Sequence, residues 1–198
     1  MGRRELSFTD IDSAIRKKAI ERVKSHIPLA KKADALIIIG LVRGVPSKNV
    51  SEKQAEEWMI DAFKVCAAEA AKEGVRIVVE PLNRYETPLI NTVKQGLELI
   101  EKVGAENLGL LLDTFHMNIE EPSIEESIRT CGNRIFHFHV ADSNRWYPGA
   151  GHLHFKSILE ALYTTGYTGF VSGEFMPDPE ANISAQRAIE YLRGLNIQ

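Results

Sequence analysis

Cysteine is scarce in this chain of 198 residues: there are two, Cys66 and Cys131. Two thiols make no disulfide framework and point to a reducing compartment, so a cytoplasmic location is expected. No apolar run approaches the roughly 18 residues of a membrane span, and the first ten residues, MGRRELSFTD, hold no apolar core of a secretory leader. No Lys/Arg block dominates, and the formal net charge is −3, which gives no reason to expect nucleic acid. Phosphate-loop patterns of the GxGxxG or GxxxxGK[ST] kind are missing after every apolar run. Gly149-Ala-Gly151 lacks a third glycine. What remains is an ordinary globular composition, 44% hydrophobic and 26% charged.

Two kinds of segment alternate along the chain. Ala35–Ile39, Val75–Val79, Leu108–Leu112, Ile135–Val140 and Gly169–Gly173 are short and mostly aliphatic, as expected of strands buried on both faces. Between them runs a helical period: Ile11, Ile15, Ala19, Val23 and Ile27 first, then Ala55, Met59, Ala62 and Cys66 with Trp58 and Val65. Further helices are marked by Val93, Leu97 and Ile100, by Ile124, Ile128 and Cys131, by Ile158, Leu159 and Leu162, and by Ala188, Ile189 and Leu192. Ser51 with Gln54 and Ser123 with Glu126 read as capping boxes, and Gly74, Gly104, Gly132 and Gly166 sit where helices should stop. Pro28 should kink or shorten the first helix. Strands joined by helical crossovers are parallel. No linker divides the chain, so residues 1–198 read as one α/β domain.

The chemistry lies at the ends of the strands. Glu80, Asp113, His139 and Glu174 each stand at the C-terminal end of a strand at the same topological level, the rim where a parallel barrel builds its site. A single acidic residue there is ordinarily a helix cap or a solvated loop residue. Four in register suit one divalent ion, Mn²⁺, Co²⁺ or Mg²⁺ ahead of Zn²⁺, since no thiolate is offered. His137 alternates with Phe136 and Phe138 and shares a face with His139, but it lies one layer deeper and reads as packing. Cys66 reads as core, and His152 and His154 as capping or solvated residues. Trp146 either lines a pocket or covers the rim. Glu120-Glu121 and Glu125-Glu126 read as a loop and first helical turn.

Four segments carry a resemblance: Glu80-Pro-Leu-Asn-Arg-Tyr-Glu86, Asp113-Thr-Phe-His116, His139-Val-Ala-Asp-Ser-Asn-Arg145 with Pro148-Gly149-Ala-Gly151, and Ser172-Gly-Glu174-Phe. Together they resemble the sugar isomerase/epimerase superfamily of xylose-isomerase-like TIM barrels, and within it the D-tagatose/D-psicose 3-epimerases. The resemblance implies a divalent metal on Glu80, Asp113, His139 and Glu174, with Glu80 and Glu174 also the catalytic acid/base pair. It implies a ketose or related hydroxy-carbonyl substrate held by Glu86, His116 and Arg145. The chemistry is consistent with this: inverting a carbon beside a ketone takes one carboxylate to remove a proton and a second to return one from the opposite face. A bound divalent ion polarises the carbonyl. Pairing with Arg84 is the structural alternative for Glu86.

The resemblance also implies a short barrel. About five of eight βα units are expected, the first helix matching the family's third, with an N-terminal truncation that leaves only a strand remnant at Glu5-Leu-Ser-Phe8. Open strand edges favour a homo-oligomer. The competing readings are a hydroxypyruvate or aldose–ketose isomerase on the same scaffold, a phosphodiesterase-type nuclease, and a catalytically impaired barrel fragment.

Overall fold

The computed structural model describes residues 6–197. Twelve helices and strands lie among the described residues, eleven of them in the order the sequence pattern predicts: α1 (Ser13–Lys32), β1 (Ile37–Ile39), α2 (Glu52–Lys72), β2 (Ile77–Val79), α3 (Val93–Val103), β3 (Leu108–Asp113), α4 (Thr114–Glu120), α5 (Ile124–Cys131), β4 (Ile135–Val140), α6 (Phe155–Thr164), β5 (Val171–Gly173) and α7 (Ala181–Gly194). The five strands form one sheet in the order β1-β2-β3-β4-β5, and every pairing is parallel. The expected strands are all present, three of them trimmed by two residues at the N-terminal end and β3 extended to Asp113.

Packing explains where the helices lie. In α2 the buried stripe is Ala55, Met59, Ala62, Phe63, Cys66, Ala67 and Ala70, while Val65, expected on the inner face, is exposed. That stripe faces the core, and α1 and α3 pack on either side of α2. β2 and β3 are buried on both faces, which their unbroken aliphatic runs require. Pro28 does not end α1, which continues to Lys32; Ile27 and Ala30 remain buried on either side and hold the last turn against the core. Ile11, by contrast, is exposed and precedes the helix, which begins after the Asp12 cap.

Caps differ in detail from the sequence reading. Ser51 and Ser123 each accept the N–H three residues on, but the Gln54 side chain turns to Glu57 instead of completing a box. A complete capping box forms at Thr92 and Gln95. Helix α4 was not expected; Asp113 caps it, accepting from Phe115 N–H, so Glu120 ends a helix and is not in a loop. The described part of the expected strand remnant, Leu6 to Phe8, is not a strand; Glu5 lies outside the described residues, and Phe8 and Thr9 form a turn, anchored by Phe8 N–H on the Val42 carbonyl.

The sheet curves as part of a barrel wall. A cavity of about 780 Å³ opens on its concave side, lined by Ile38, Arg76, Phe136, His137, Tyr167 and Phe170. It lies at the N-terminal ends of the strands, away from the acidic rim. Ile38 and Phe170 are exposed there, and among the described residues neither β1 nor β5 has a partner on its outer side.

Candidate active site

The rim residues of four adjacent strands meet. Glu80 directly follows β2, Asp113 ends β3, His139 lies in β4 and Glu174 follows β5. Asp113 and His139 are register partners, so parallel pairing alone places them side by side. One ligand atom from each of the four residues falls within 4.8 Å of all the others. His139 Nδ1 is 3.2 Å from Glu174 Oε2 and 3.9 Å from Asp113 Oδ2. His137, one layer below, stacks edge-on against His139 at 4.9 Å and faces the lower cavity.

Three carboxylates lie close together here, and burial and their partners shift their protonation in different directions. Burial, reinforced by the charges on Asp113 and Glu174, pushes the Glu80 carboxyl up to about 8. Burial also raises Asp113, to about 6, against the pull of Arg145. Glu174 is held well below the usual carboxylate range, by its hydrogen bond to His139 first; burial opposes this, and Arg145 assists. For His139, burial works against the charged form, but the three carboxylates outweigh it and raise its pKa. Glu80 Oε1 and Asp113 Oδ2 are buried and lack a hydrogen-bond partner. Two orphaned oxygens in a nest of carboxylates and one imidazole fit a divalent cation, by donor type and by spacing.

Around this cluster stand the other predicted residues. Arg145 Nη2 donates to Glu174 Oε2 at 2.8 Å, and its Nη1 lies 3.6 Å from Asp113 Oδ2. His116, on α4, is buried; its Nδ1 accepts the Asn83 backbone N–H at 3.2 Å and lies 2.8 Å from Asn83 Nδ2. That assigns the proton to Nε2, which lies 3.2 Å from Arg145 Nη1 and 3.9 Å from Glu80 Oε1. Burial, then the Arg145 charge, lowers the His116 pKa to about 4, so the ring is neutral at pH 7. Glu86 sits half-buried in the loop after β2, its N–H on the Asn83 carbonyl. Arg84, two residues before it, pairs with Glu120 at 3.0 Å.

Three residues near the site escaped the sequence reading. Arg43 is fully buried after β1 and donates through Nη1 to the Glu80 carbonyl, in the stretch Gly40-Leu-Val-Arg-Gly44. Asn83 orients His116. Asp142 is wholly buried at the root of the loop that carries Arg145. Asn83 and Asp142 lie inside quoted segments, and a polar residue embedded in such a segment was the available signal. His154 occupies the cap position of α6 without a side-chain bond, and His152 Nδ1 is 2.9 Å from Ser143 Oγ.

A parallel barrel wall with four residues that could hold one cation at the C-terminal ends of its strands is the layout of a TIM-barrel site. The model of the xylose isomerase-like TIM barrel family matches residues 2–195, and the chain belongs to that family. L-ribulose 3-epimerase of Mesorhizobium japonicum is 31% identical over 186 residues, 92% of this chain and 63% of that protein. D-psicose 3-epimerase of Ruminiclostridium cellulolyticum is 35% identical over 171 residues, 84% of this chain and 58% of that protein. The chain therefore spans about three fifths of the length of these relatives. Among solved structures, D-psicose 3-epimerase with D-tagatose from Clostridium cellulolyticum H10 superposes with a TM-score of 0.88 at 31% identity, covering 98% of this chain and 76% of that one.

Proposed function

We propose that the chain carries the metal-binding and proton-transfer site of a ketose 3-epimerase. The observation that supports it most is the Glu80, Asp113, His139 and Glu174 cluster, with ligand atoms within 4.8 Å and two orphaned oxygens. Those four residues would hold one divalent ion, Mn²⁺, Co²⁺ or Mg²⁺. When bound it supplies Lewis-acid polarisation of a ketose carbonyl. Glu80 and Glu174 come from non-adjacent strands, so their carboxylates can reach opposite faces of one carbon. One takes the C3 proton and leaves an enediolate; the other delivers a proton to the opposite face. His116 Nε2–H and the Arg145 guanidinium donate to the substrate oxygens where negative charge gathers. Glu86 holds a hydroxyl from the loop after β2.

The reading extends to setting. Two buried free thiols suit a reducing, cytoplasmic location, and no helix among the described residues is long and apolar enough to cross a membrane. Open outer edges on β1 and β5, with Ile38 and Phe170 exposed, favour association of copies, read as a mass by light scattering.

The test is a metal titration paired with an epimerisation assay on D-fructose, D-tagatose and their C3 epimers. One tightly held ion and metal-dependent interconversion are expected. A chain that binds no divalent ion, or binds one and interconverts none of these sugars, overturns the reading.

A further inference from the structure

The loop from Ala141 to Leu153 departs from the pattern of a solvated connection. Asp142 is 0% exposed, although it carries a charge. Its carboxylate is consumed by the loop's own backbone. Oδ1 accepts the N–H of Ser143 at 2.7 Å and of Leu153 at 3.1 Å, and Oδ2 accepts the N–H of Gly149 at 2.9 Å. Its backbone closes the same turn: Asp142 N–H bonds the Trp146 carbonyl at 2.9 Å, and Arg145 N–H bonds the Asp142 carbonyl at 2.8 Å.

Two glycines make the closure possible. A Cβ at Gly151 would stand 2.2 Å from Asp142 Oδ1, and Gly149 has φ +94° with Tyr191 against it. The Ser143 hydroxyl takes His152 N–H at 3.2 Å and adds a second tie across the loop. What this cage holds in place is Arg145, whose φ of +65° is left-handed and costs roughly 1 kcal/mol or more for a residue with a side chain. The Arg145 carbonyl accepts Met176 N–H at 2.7 Å, which links the cage to the segment bearing Glu174.

We propose that Asp142 is a positioning residue: by gathering the N–H groups of its loop it holds Arg145 in a strained backbone conformation that aims the guanidinium at the rim. Gly149, Gly151 and His152 are then parts of that device and neither phosphate binders nor metal ligands. The consequence for turnover rests on the reading of Arg145 as a substrate-holding group; the placement of Arg145 does not.

The experiment therefore reads placement first. Phenylglyoxal modification of the full chain is mapped by mass spectrometry in wild type, Asp142→Asn and Asp142→Ala, with Arg84 as internal reference. The expected result is Arg145 modification faster by about tenfold or more in Asp142→Ala, with Arg84 unchanged and Co²⁺ affinity within about twofold of wild type. Where wild type epimerises, kcat/KM should fall by up to roughly 10²-fold, and the loss should vanish in an Arg145→Ala background. Unchanged Arg145 reactivity in a folded variant overturns the proposal. So does an additive cycle, or loss of the fold in both variants, which would make Asp142 a residue of the fold alone. Wild type without epimerisation refutes the functional reading and leaves the reactivity result to decide this one.

Discussion

His116 Nε2 and Arg145 Nη1 stand 3.2 Å apart as two donors. The Asn83 N–H on Nδ1 leaves the ring no other tautomer while it is neutral, and an arginine has no acceptor to offer. Neither group satisfies the other, and Glu80 Oε1 at 3.9 Å is too far to accept from His116. Two donors aimed at one place need an oxygen there. On the proposed reading, a substrate hydroxyl or carbonyl beside the rim carboxylates would provide one.

Removing either donor should therefore damage turnover. Arg145→Lys replaces a planar fork with a point charge, and kcat/KM should drop by about 10²-fold or more. His116→Ala should cost turnover similarly, and also about 1–3 kcal/mol of stability, because it orphans the buried Asn83 donors. Steady-state kinetics and thermal unfolding check both. Full activity in Arg145→Lys would contradict the assignment.

Metal should stabilise the fold as well as activate it. A chain held at about 100 times the dissociation constant gains roughly 2.7 kcal/mol, a rise in Tm of about 5–10 °C at this size. Chelation by EDTA should reverse the shift. Asp113→Asn should abolish it, since it removes the charge of a buried proposed ligand. Identical melting curves with and without Mn²⁺ or Co²⁺ would count against the site.

The rim was legible in the sequence because a parallel sheet aligns residues of adjacent strands without any long-range guess. His139 and Asp113 had to meet once both ended neighbouring strands. Arg43 and Asp142 were not legible, because burial of a charged residue depends on what folds over it. Arg43 is covered where the Ser7–Thr9 stretch packs against Val42–Gly44, a contact between segments far apart in the chain. Helix α4 was hidden for a local reason: it starts directly on the last strand residue, with the candidate ligand Asp113 serving as its cap. One side chain does two jobs there, and periodicity shows only one. Pro28 misled because the buried contacts around it outweigh the lost hydrogen bond.

Acid should weaken the loop around Asp142 in a defined direction. Burial raises the pKa of its carboxyl, but the N–H groups of Leu153, Ser143, Gly151 and Gly149 outweigh burial and hold it below its ordinary value of 3.8. The folded state thus binds the proton less readily than the unfolded chain. The stabilisation is fully present above pH 3.8 and fades as pH falls through the lower folded value. Asp142→Asn should be less stable than wild type at neutral pH, and the gap should narrow below that point. Denaturant unfolding at stepped pH reads it; a gap that widens with acid would contradict the account.

The turn over Arg43 admits no side chain at Gly44. Its φ is +86°, and a Cβ there would lie 1.8 Å from Ser7 Oγ and 2.8 Å from Thr9 Oγ1. Gly44→Ala should destabilise by about 1–3 kcal/mol, lowering Tm by several degrees. Gly74→Ala, with φ +69° and nothing near its Cβ, should cost less because strain acts there alone. Equal losses at the two positions would show that the Ser7 contact is dispensable.

Exchange of the C3 proton tests the central claim most directly. The chain is loaded with Mn²⁺ or Co²⁺ and incubated with D-fructose or D-tagatose in deuterated water, and C3 is followed by NMR. Metal-dependent deuterium incorporation at C3 is predicted, lost in Glu174→Gln while the metal stays bound. A folded chain with one ion in place and an unexchanged C3 proton would contradict it.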